Sequence, residues 1–336
     1  MAEVLSRENK MQLTKEELIH HLKQQDYTNL VALADQTREK YLGNEVHLRA
    51  LIEFSNICRN NCLYCGIRCS NTNIKRYRLN EDEILKTTQS AVFLGFKTVV
   101  LQSGEDMYFD TLKLCHIIEQ IKKYDLALTL SIGERTLEDY KAFKNAGADR
   151  FLMRIETTDK NLYHKLHPNQ SWEHRHKCLL QIKDLGYELG SGIMVGLPNQ
   201  TIESIANDLL YLQQLKVDMA GIGPFIPHPQ TPLAKEQGGT LDLSLKTMAL
   251  MRLLLEDINI PATTAMEALS PKGQILALKA GANVLMPNLT LPNCRKLYEL
   301  YPNKENAVQT LEAIYQKLSS INRTVSNTHG YHKQKN

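Results

Sequence analysis

The sequence predicts a closed (βα)8 barrel of the TIM type, preceded by an N-terminal helical extension. Three observations carry that fold class. Eight apolar, β-rich runs alternate with segments of helical period over about 250 residues. The runs are apolar almost without interruption, as expected of parallel strands covered on both faces. The chemically suggestive side chains fall at the C-terminal ends of these runs, where a βα barrel builds its active site. An open doubly wound sheet is the alternative reading of the same alternation.

Taken in order, Thr14 followed by Glu17 forms a capping-box pattern ahead of LIHHLKQQ, which starts a helix near Lys15. A second helix is expected over 27–41, so residues 1–45 form the helical extension. Strands are expected at 46–55, 98–104, 126–133, 149–157, 189–198, 218–226, 260–266 and 282–290. Between them lie helical segments such as EDEILKTTQSAVFLG and EHRHKCLLQIKDLG, which end in Gly where a C-cap would sit. Residues 46–322 are therefore assigned to the barrel. The polar stretch 323–336 has no periodicity and is predicted to be a disordered tail.

At 336 residues, 43% hydrophobic and 23% charged, the composition is that of a globular protein and excludes a disordered chain, a collagen or a disulfide scaffold. Forty Lys+Arg against 37 Asp+Glu leave a net charge of +3, which makes no electrostatic case for a nucleic-acid partner. No apolar run approaches the roughly 18 to 20 residues needed to cross a bilayer, and charges are spread through the first twenty residues. A soluble cytoplasmic protein with no membrane partner is expected. Without long charge runs, the sequence shows no docking site for a protein partner.

Four of the seven cysteines, Cys58, Cys62, Cys65 and Cys69, fall within twelve residues after the first strand. In a cytosolic chain such clustering points to metal or redox chemistry over disulfides. Cys58, Cys62 and Cys65 are spaced Cys-x3-Cys-x2-Cys, with Tyr64 before the last. Three thiolates suit three irons of a cubane cluster and leave the fourth iron open to a ligand. A zinc site completed by Cys69 and a set of unrelated free thiols are the alternatives.

This motif resembles that of the radical S-adenosylmethionine (SAM) superfamily. The resemblance implies one 4Fe-4S cluster whose open iron is chelated by the amino and carboxylate groups of SAM. One electron then cleaves the sulfonium to methionine and a 5′-deoxyadenosyl radical. Ser103-Gly104-Glu105-Asp106 resembles the superfamily's Gly-Gly-Glu motif, with Ser in place of the first Gly, and Gly104 and Glu105 would meet the SAM ammonium. Arg175 suits the carboxylate because a guanidinium binds it bidentately, although a solvated helix-face arginine is the plainer reading. Glu156, closing the fourth strand, suits the ribose hydroxyls, and a simple pair with Arg154 is its alternative. Ser131 ends the third strand nearby. The Gly192–Pro198 edge, with Val195 in it, offers adenine an apolar rest or is merely a core strand.

The runs LQSGED, RIET, LYHKLHP, GIMVGLPNQT, GIGPFIPHPQTPL, IPATTA, GANVLMPNLT and KLYELYPNK occur in order over 45–305. Together they resemble the HydE family of FeFe-hydrogenase maturases, more closely than biotin synthase or methylornithine synthase. The resemblance implies SAM contacts at Tyr64, Ser131, Glu156 and Arg175. It implies a substrate cavity lined by Gln102, Thr129, Arg154, Met219, Thr263, Thr264 and Tyr301. Hydroxyls, an amide and an arginine suit an anionic iron complex, whereas Thr263 and Thr264 alone read as ordinary strand threonines. By the same resemblance the substrate is an iron complex carrying cysteine, CO and cyanide. It would be received from the maturase HydG and passed to the scaffold HydF, with an electron donor completing the partners. A paralog acting on another small thiol or amino acid, and a carrier that holds iron–sulfur without turnover, are the competing classes.

The stretch 302–320 holds no cysteine, so only one cluster is expected. Cys69 has no assigned role, Cys115 and Cys178 read as structural, and Cys294 has no partner in sequence. His164, His167, His174 and His176 gather in sequence but read as helix-surface residues. His228, after the sixth strand, is the histidine placed best for function.

Overall fold

The computed structural model describes residues 13–302 and 310–332. The first twelve residues, the end of the KLYELYPNK run and the last four residues of the predicted tail lie outside the described residues. Helices α1 (Lys15–Lys23) and α2 (Thr28–Leu42) precede β1 (Glu45–Ser55). There follow α3 (Glu81–Phe93), β2 (Thr98–Ser103), α4 (Thr111–Ile121), β3 (Ala127–Ser131), α5 (Leu137–Asn145) and β4 (Arg150–Leu152). Next come α6 (Lys160–Leu166), α7 (Trp172–Asp184), β5 (Glu188–Val195), α8 (Ile202–Leu215), β6 (Met219–Pro224) and α9 (Leu241–Leu254). The remainder is α10 (Thr264–Leu269), α11 (Gly273–Lys279), β7 (Val284–Leu285), α12 (Pro292–Arg295), α13 (Leu311–Ser319) and β8 (Thr324–Val325). The helix at Lys15 begins as its sequence requires. Thr14 accepts from the Glu17 N–H while the Glu17 carboxylate accepts from the Thr14 N–H.

The strands form a curled parallel sheet in the order β6-β5-β4-β3-β2-β1-β7, with β8 on the first residues of β1. Alternate residues face opposite sides. Ile52, Phe54, Val99, Leu101, Leu128, Leu130, Phe151, Leu189 and Ile222 join the apolar layer shared with the helices. The alternate strand positions Glu53, Gln102, Thr129 and Met219 stand on the other face, with Arg154 just past the end of β4. That alternation gathers the polar strand residues in one interior.

The predicted ring of strands is interrupted between β6 and β7. Among the described residues no strand lies there; isolated bridges at Met219–Asn259 and Pro261–Val284 span the gap. The run 260–266 does not extend because Pro261 lacks an N–H and because Thr263 and Thr264 open α10. The run 282–290 is cut to two residues ahead of Pro287, and the run 149–157 to Arg150–Leu152.

The predicted disordered tail is also corrected over 323–332. Ser326 N–H bonds the Val46 carbonyl at 2.9 Å, continuing from β8. The buried Arg323 guanidinium binds Asp35 and the carbonyls of Ala282 and Leu278. The His329 carbonyl accepts from Arg150 Nη2 at 2.8 Å, and the Gly330 carbonyl from Asn259 Nδ2 at 3.0 Å. The polar residues satisfy buried groups at the N-terminal end of the sheet, which orders them without an apolar period.

Candidate active site

The cysteine loop is fixed at both ends before its thiols are considered. At the end of β1, Ser55 Oγ donates to Asp106 Oδ2 at 2.6 Å, and Arg78 Nε reaches the same oxygen at 2.6 Å. Burial opposes the Asp106 charge, yet Arg78 and Ser55 hold its pKa below the usual carboxylate value. Gly104 N–H bonds the Ser55 carbonyl at 3.0 Å. A Cβ on Gly104 would lie 2.3 Å from the Ile57 oxygen and 2.7 Å from Cys58 Cβ, so only glycine allows this approach.

Backbone N–H groups of Asn60 and Glu105 both point at Cys58 Sγ from 3.4 Å, and Gln170 Nε2 donates to Cys62 Sγ at 3.2 Å. Burial raises the pKa of all three thiols, Cys62 to about 11. Uncompensated thiolates are unfavourable here, and a bound cation would stabilise them. All seven cysteines are free thiols. Among the described residues no three His, Cys, Asp or Glu side chains converge on one ion position. A cubane offers each cysteine its own iron and so does not require the three thiols to converge on one point. Cys69 is exposed, and its N–H is bound to the Asn60 carbonyl.

Next to the cysteines lies a buried charge network. Arg175 is not solvated: its side chain is 12% exposed, with Nε on Glu134 at 2.6 Å, Nη1 on the Arg154 carbonyl at 3.0 Å and Nη2 on Gln170 Oε1 at 3.1 Å. Burial works against its charge, but Tyr163, Glu134 and Glu105 together raise its pKa. The Glu105 carboxylate accepts from Arg59 Nε at 3.0 Å and from the Glu134 N–H at 2.9 Å. It passes beneath Gly133, whose φ is +74° and whose Cβ would lie 2.0 Å from Glu105 Cγ. Glu105 thus braces the neighbouring loops as well as following Gly104.

Glu156 has a φ of +66°, and its N–H and carbonyl bond Gly192 and Met194 of β5. Its carboxylate stands 3.1 Å from Arg154 Nη2, as the plainer reading expected. Burial raises its pKa, opposed by Arg154 and Arg175, and Oε2 has no partner of hydrogen-bond geometry among the described residues. Ser131 ends β3 opposite Gln102 and is half-buried. The Val195 side chain lies in the apolar layer, and its carbonyl is taken by the Phe225 N–H at 2.8 Å. The neighbouring Met194 packs, as Tyr64 does, against the cluster of Leu162, Leu166, Leu197 and Phe225.

Tyr64 donates to His167 Nε2 at 2.8 Å, because His167 Nδ1 faces the Tyr163 carbonyl at 2.8 Å and carries the ring proton. Burial lowers the pKa of His167 to about 3, so it is neutral. The four clustered histidines part company. His176 stacks on Trp172 and bonds Tyr211, while the His164 and His174 side chains are about half exposed. His228 is buried with Nδ1 accepting from the Gln230 N–H and Nε2 3.8 Å from Glu299.

Above the sheet interior, Thr129 Oγ1, Thr263 Oγ1 and Arg154 Nε are buried with no hydrogen-bond partner among the described residues. Gln102 Nε2 reaches Tyr298 Oη at 3.4 Å, Thr264 Oγ1 and Tyr301 Oη are 2.5 Å apart, and Met219 Sδ accepts from Arg49 Nη1 at 2.8 Å. Thr263 and Thr264 are therefore no strand threonines; they are the N-cap and first residue of α10. Sequence reasoning missed Glu53, which is fully buried, opposite Gln102 in register and bound by Asn288 Nδ2 at 2.8 Å. An inward-phase acid in an apolar strand was the available signal. Gln170 and Glu134 carried none.

Residues 52–212 match the Radical SAM superfamily. The [FeFe] hydrogenase maturase subunit HydE of Thermotoga maritima is 52% identical over 305 residues, covering 90% of this chain and 88% of that protein. This chain belongs to the HydE family of radical SAM enzymes. The HydE-type chain is also similar to the crystal structure of methylornithine synthase (PylB), with 29% identity, a TM-score of 0.84 and 94% coverage of both chains. The maturase HydG from Carboxydothermus hydrogenoformans shares the fold alone, at 19% identity and a TM-score of 0.82 over 96% of this chain and 78% of that one. No described helix of this HydE-family chain is long and apolar enough to cross a membrane.

Proposed function

We propose that the chain binds one 4Fe-4S cluster on Cys58, Cys62 and Cys65 and acts on the sulfur of an iron–cysteine–CO–cyanide precursor during assembly of the FeFe-hydrogenase H-cluster. The observation that carries this reading is the adjacency of the cysteine loop to a buried cationic group, Arg175, and to an interior with unpartnered hydroxyls. When bound, the cluster and SAM supply reductive cleavage of the sulfonium to methionine and a 5′-deoxyadenosyl radical. Arg175, held by Glu134 and Gln170, is oriented to take a carboxylate. Glu156 offers an acceptor to the ribose, and Ser131 a hydroxyl beside it. Tyr64 and Met194 form an apolar wall that excludes water from the radical.

Thr129 Oγ1, Thr263 Oγ1 and Arg154 Nε are buried polar groups that a polar substrate would satisfy. Gln102, Met219, Thr264 and Tyr301 complete that lining. The isolated bridges through Asn259 and Pro261 support reading the curled sheet as a closed barrel around this interior. HydG as supplier, HydF as acceptor and an electron donor are the partners this reading requires.

The test uses anaerobically reconstituted protein with SAM, a reductant and a synthetic Fe(II)–cysteine–cyanide–dicarbonyl complex, followed for paramagnetic intermediates and adenosylated sulfur. A substrate-dependent radical with an adenosyl–sulfur product supports the maturase reading. Abortive 5′-deoxyadenosine with the complex untouched favours the second reading, a paralog that acts on another small thiol or amino acid. The likeness to methylornithine synthase along nearly the whole chain supports that alternative.

A further inference from the structure

Two stretches of the chain that lack carboxylates meet at the root of the cysteine loop. Between Glu53 and Glu81 stand Arg59, Arg68, Lys75, Arg76 and Arg78 and no acid; between Glu267 and Glu299 stand Lys272, Lys279, Arg295 and Lys296 and no acid. Asn56, fully buried two residues before Cys58, joins the two stretches. Its Nδ2 donates to the Lys75 carbonyl at 2.9 Å and to the Leu297 carbonyl at 2.8 Å. Gly66 N–H adds a bond to the Leu300 carbonyl at 3.0 Å. The backbones at Lys75 and Leu297 therefore meet at Asn56, two residues before Cys58, which brings the exposed residues Lys75 and Lys296 close together, and the Lys75 charge acts on the nearby Cys294 thiol.

These cations differ in what they do. Arg59 and Arg78 are paired to Glu105 and Asp106 while their side chains stay 51% and 38% exposed. Arg76 is used inward, on the carbonyls of Asn56, Ile67, Arg68 and Asn71. Lys75 and Lys296 are exposed and their ammonium groups make no hydrogen bond or ion pair among the described residues, while Arg295 reaches only the Asn288 carbonyl. Glu83 is used in the cap of α3, and Glu299 stands beside His228. Solvated lysines add little to the stability of a fold. Grouped on one face, they attract an oppositely charged partner and speed its encounter.

We propose that the rim formed by Lys75, Arg295 and Lys296, flanked by Arg59 and Arg78, is the docking face for an acidic one-electron carrier protein. The carrier is oxidised by one electron at each encounter, and the centre held by the three cysteines is reduced by one. The inference rests on the cluster-binding reading of that loop. A nucleic acid would ask for exposed aromatic platforms, and here Tyr77 turns its hydroxyl to the Glu53 carbonyl while Tyr298 is buried.

The experiment titrates reduced flavodoxin onto cluster-free and reconstituted protein at several ionic strengths. In parallel, 5′-deoxyadenosine formation is driven either by flavodoxin or by dithionite. The double variant Lys75→Glu/Lys296→Glu should bind flavodoxin at least tenfold more weakly at low salt and show a flatter salt dependence. Its flavodoxin-driven rate should fall in step, with iron content and dithionite-driven rate unchanged. Lys75→Gln/Lys296→Gln should give an intermediate loss. Unaltered flavodoxin binding, an equal loss with dithionite, or displacement of flavodoxin by a single-stranded oligonucleotide would each overturn the proposal. Wild-type protein that assembles no iron–sulfur centre would instead overturn the reading of the loop.

Discussion

Gln170 ties Cys62 to Arg175: its Nε2 donates to Cys62 Sγ at 3.2 Å and its Oε1 accepts from Arg175 Nη2 at 3.1 Å. One amide thus touches both the thiol assigned to iron and the guanidinium assigned to the SAM carboxylate. It sits at the turn between α6 and α7, where nothing in the surrounding sequence marks it.

Removing that amide should loosen both ends. Gln170→Ala is expected to weaken SAM binding about tenfold, equivalent to ~1.4 kcal/mol. The cluster should also titrate at a lower potential, because hydrogen bonds to sulfur favour the reduced form. Equilibrium SAM titration and a redox titration followed by electron paramagnetic resonance measure the two. Unchanged values for both would show that the amide only fills space.

The three cysteines and Cys69 make opposite predictions. Cys62→Ala should abolish cluster assembly and SAM cleavage together, because three thiolates hold three irons. Cys69→Ala should leave iron content and turnover within about twofold of wild type, since the thiol is exposed and the residue is tied to the loop by its backbone N–H, which the substitution keeps. Full SAM cleavage by the Cys62 variant would refute the cluster assignment. Loss of iron from the Cys69 variant would revive a fourth protein ligand.

Asp208 on α8 clamps the loop that follows Glu156. It is fully buried, and Oδ1 accepts from the Thr158 N–H at 2.6 Å and from Thr158 Oγ1 at 2.5 Å. Oδ2 stands 3.5 Å from Gln200 Nε2; Gln200 in turn accepts from the Gly196 N–H at 2.7 Å and donates to the Met194 carbonyl at 2.9 Å. Both edges assigned to the nucleoside are therefore positioned from one carboxyl group. Asp208→Ala should raise the KM for SAM about tenfold with kcat little changed, and Asp208→Asn should restore most of the loss. A kcat effect without a KM effect would place Asp208 in general stability instead.

The parts of the site that were legible in the sequence are those written in local spacing. Cys58, Cys62, Cys65 and Tyr64 lie within eight residues, and Gly104 and Glu156 end apolar runs. The grouping of Gln102, Thr129 and Met219 came from the family resemblance; strand alternation is the physical reason they can share one face. What was not legible depends on distant partners. The order of the last residues comes from Arg323 on Asp35 and His329 on Arg150, contacts 288 and 179 positions apart. A run apolar on both faces, such as the one holding Val195, does not say which face a residue takes; the structure turns the Val195 side chain into the apolar layer. The run 260–266 read as a strand because its β-branched residues are equally suited to cap and open a helix.

The seated tail carries a pH dependence of its own. His332 lies 2.9 Å from Asp218 and 3.2 Å from Asp257, and its N–H binds Glu188, so three carboxylates face it. Burial opposes protonation, but the two aspartates outweigh it and raise the pKa to about 9 from an ordinary 6.5. The folded state therefore binds a proton more tightly than the unfolded chain. The stability gained is complete below pH 6.5 and is lost as the pH rises through 9. The melting temperature of wild type should exceed that of His332→Gln most at pH 6, with the gap narrowing across pH 6.5 to 9 and nearly closed by pH 10. A gap that stays constant with pH would mean that the ring contributes packing alone, and that the charge on His332 does not hold the tail against the N-terminal end of the sheet.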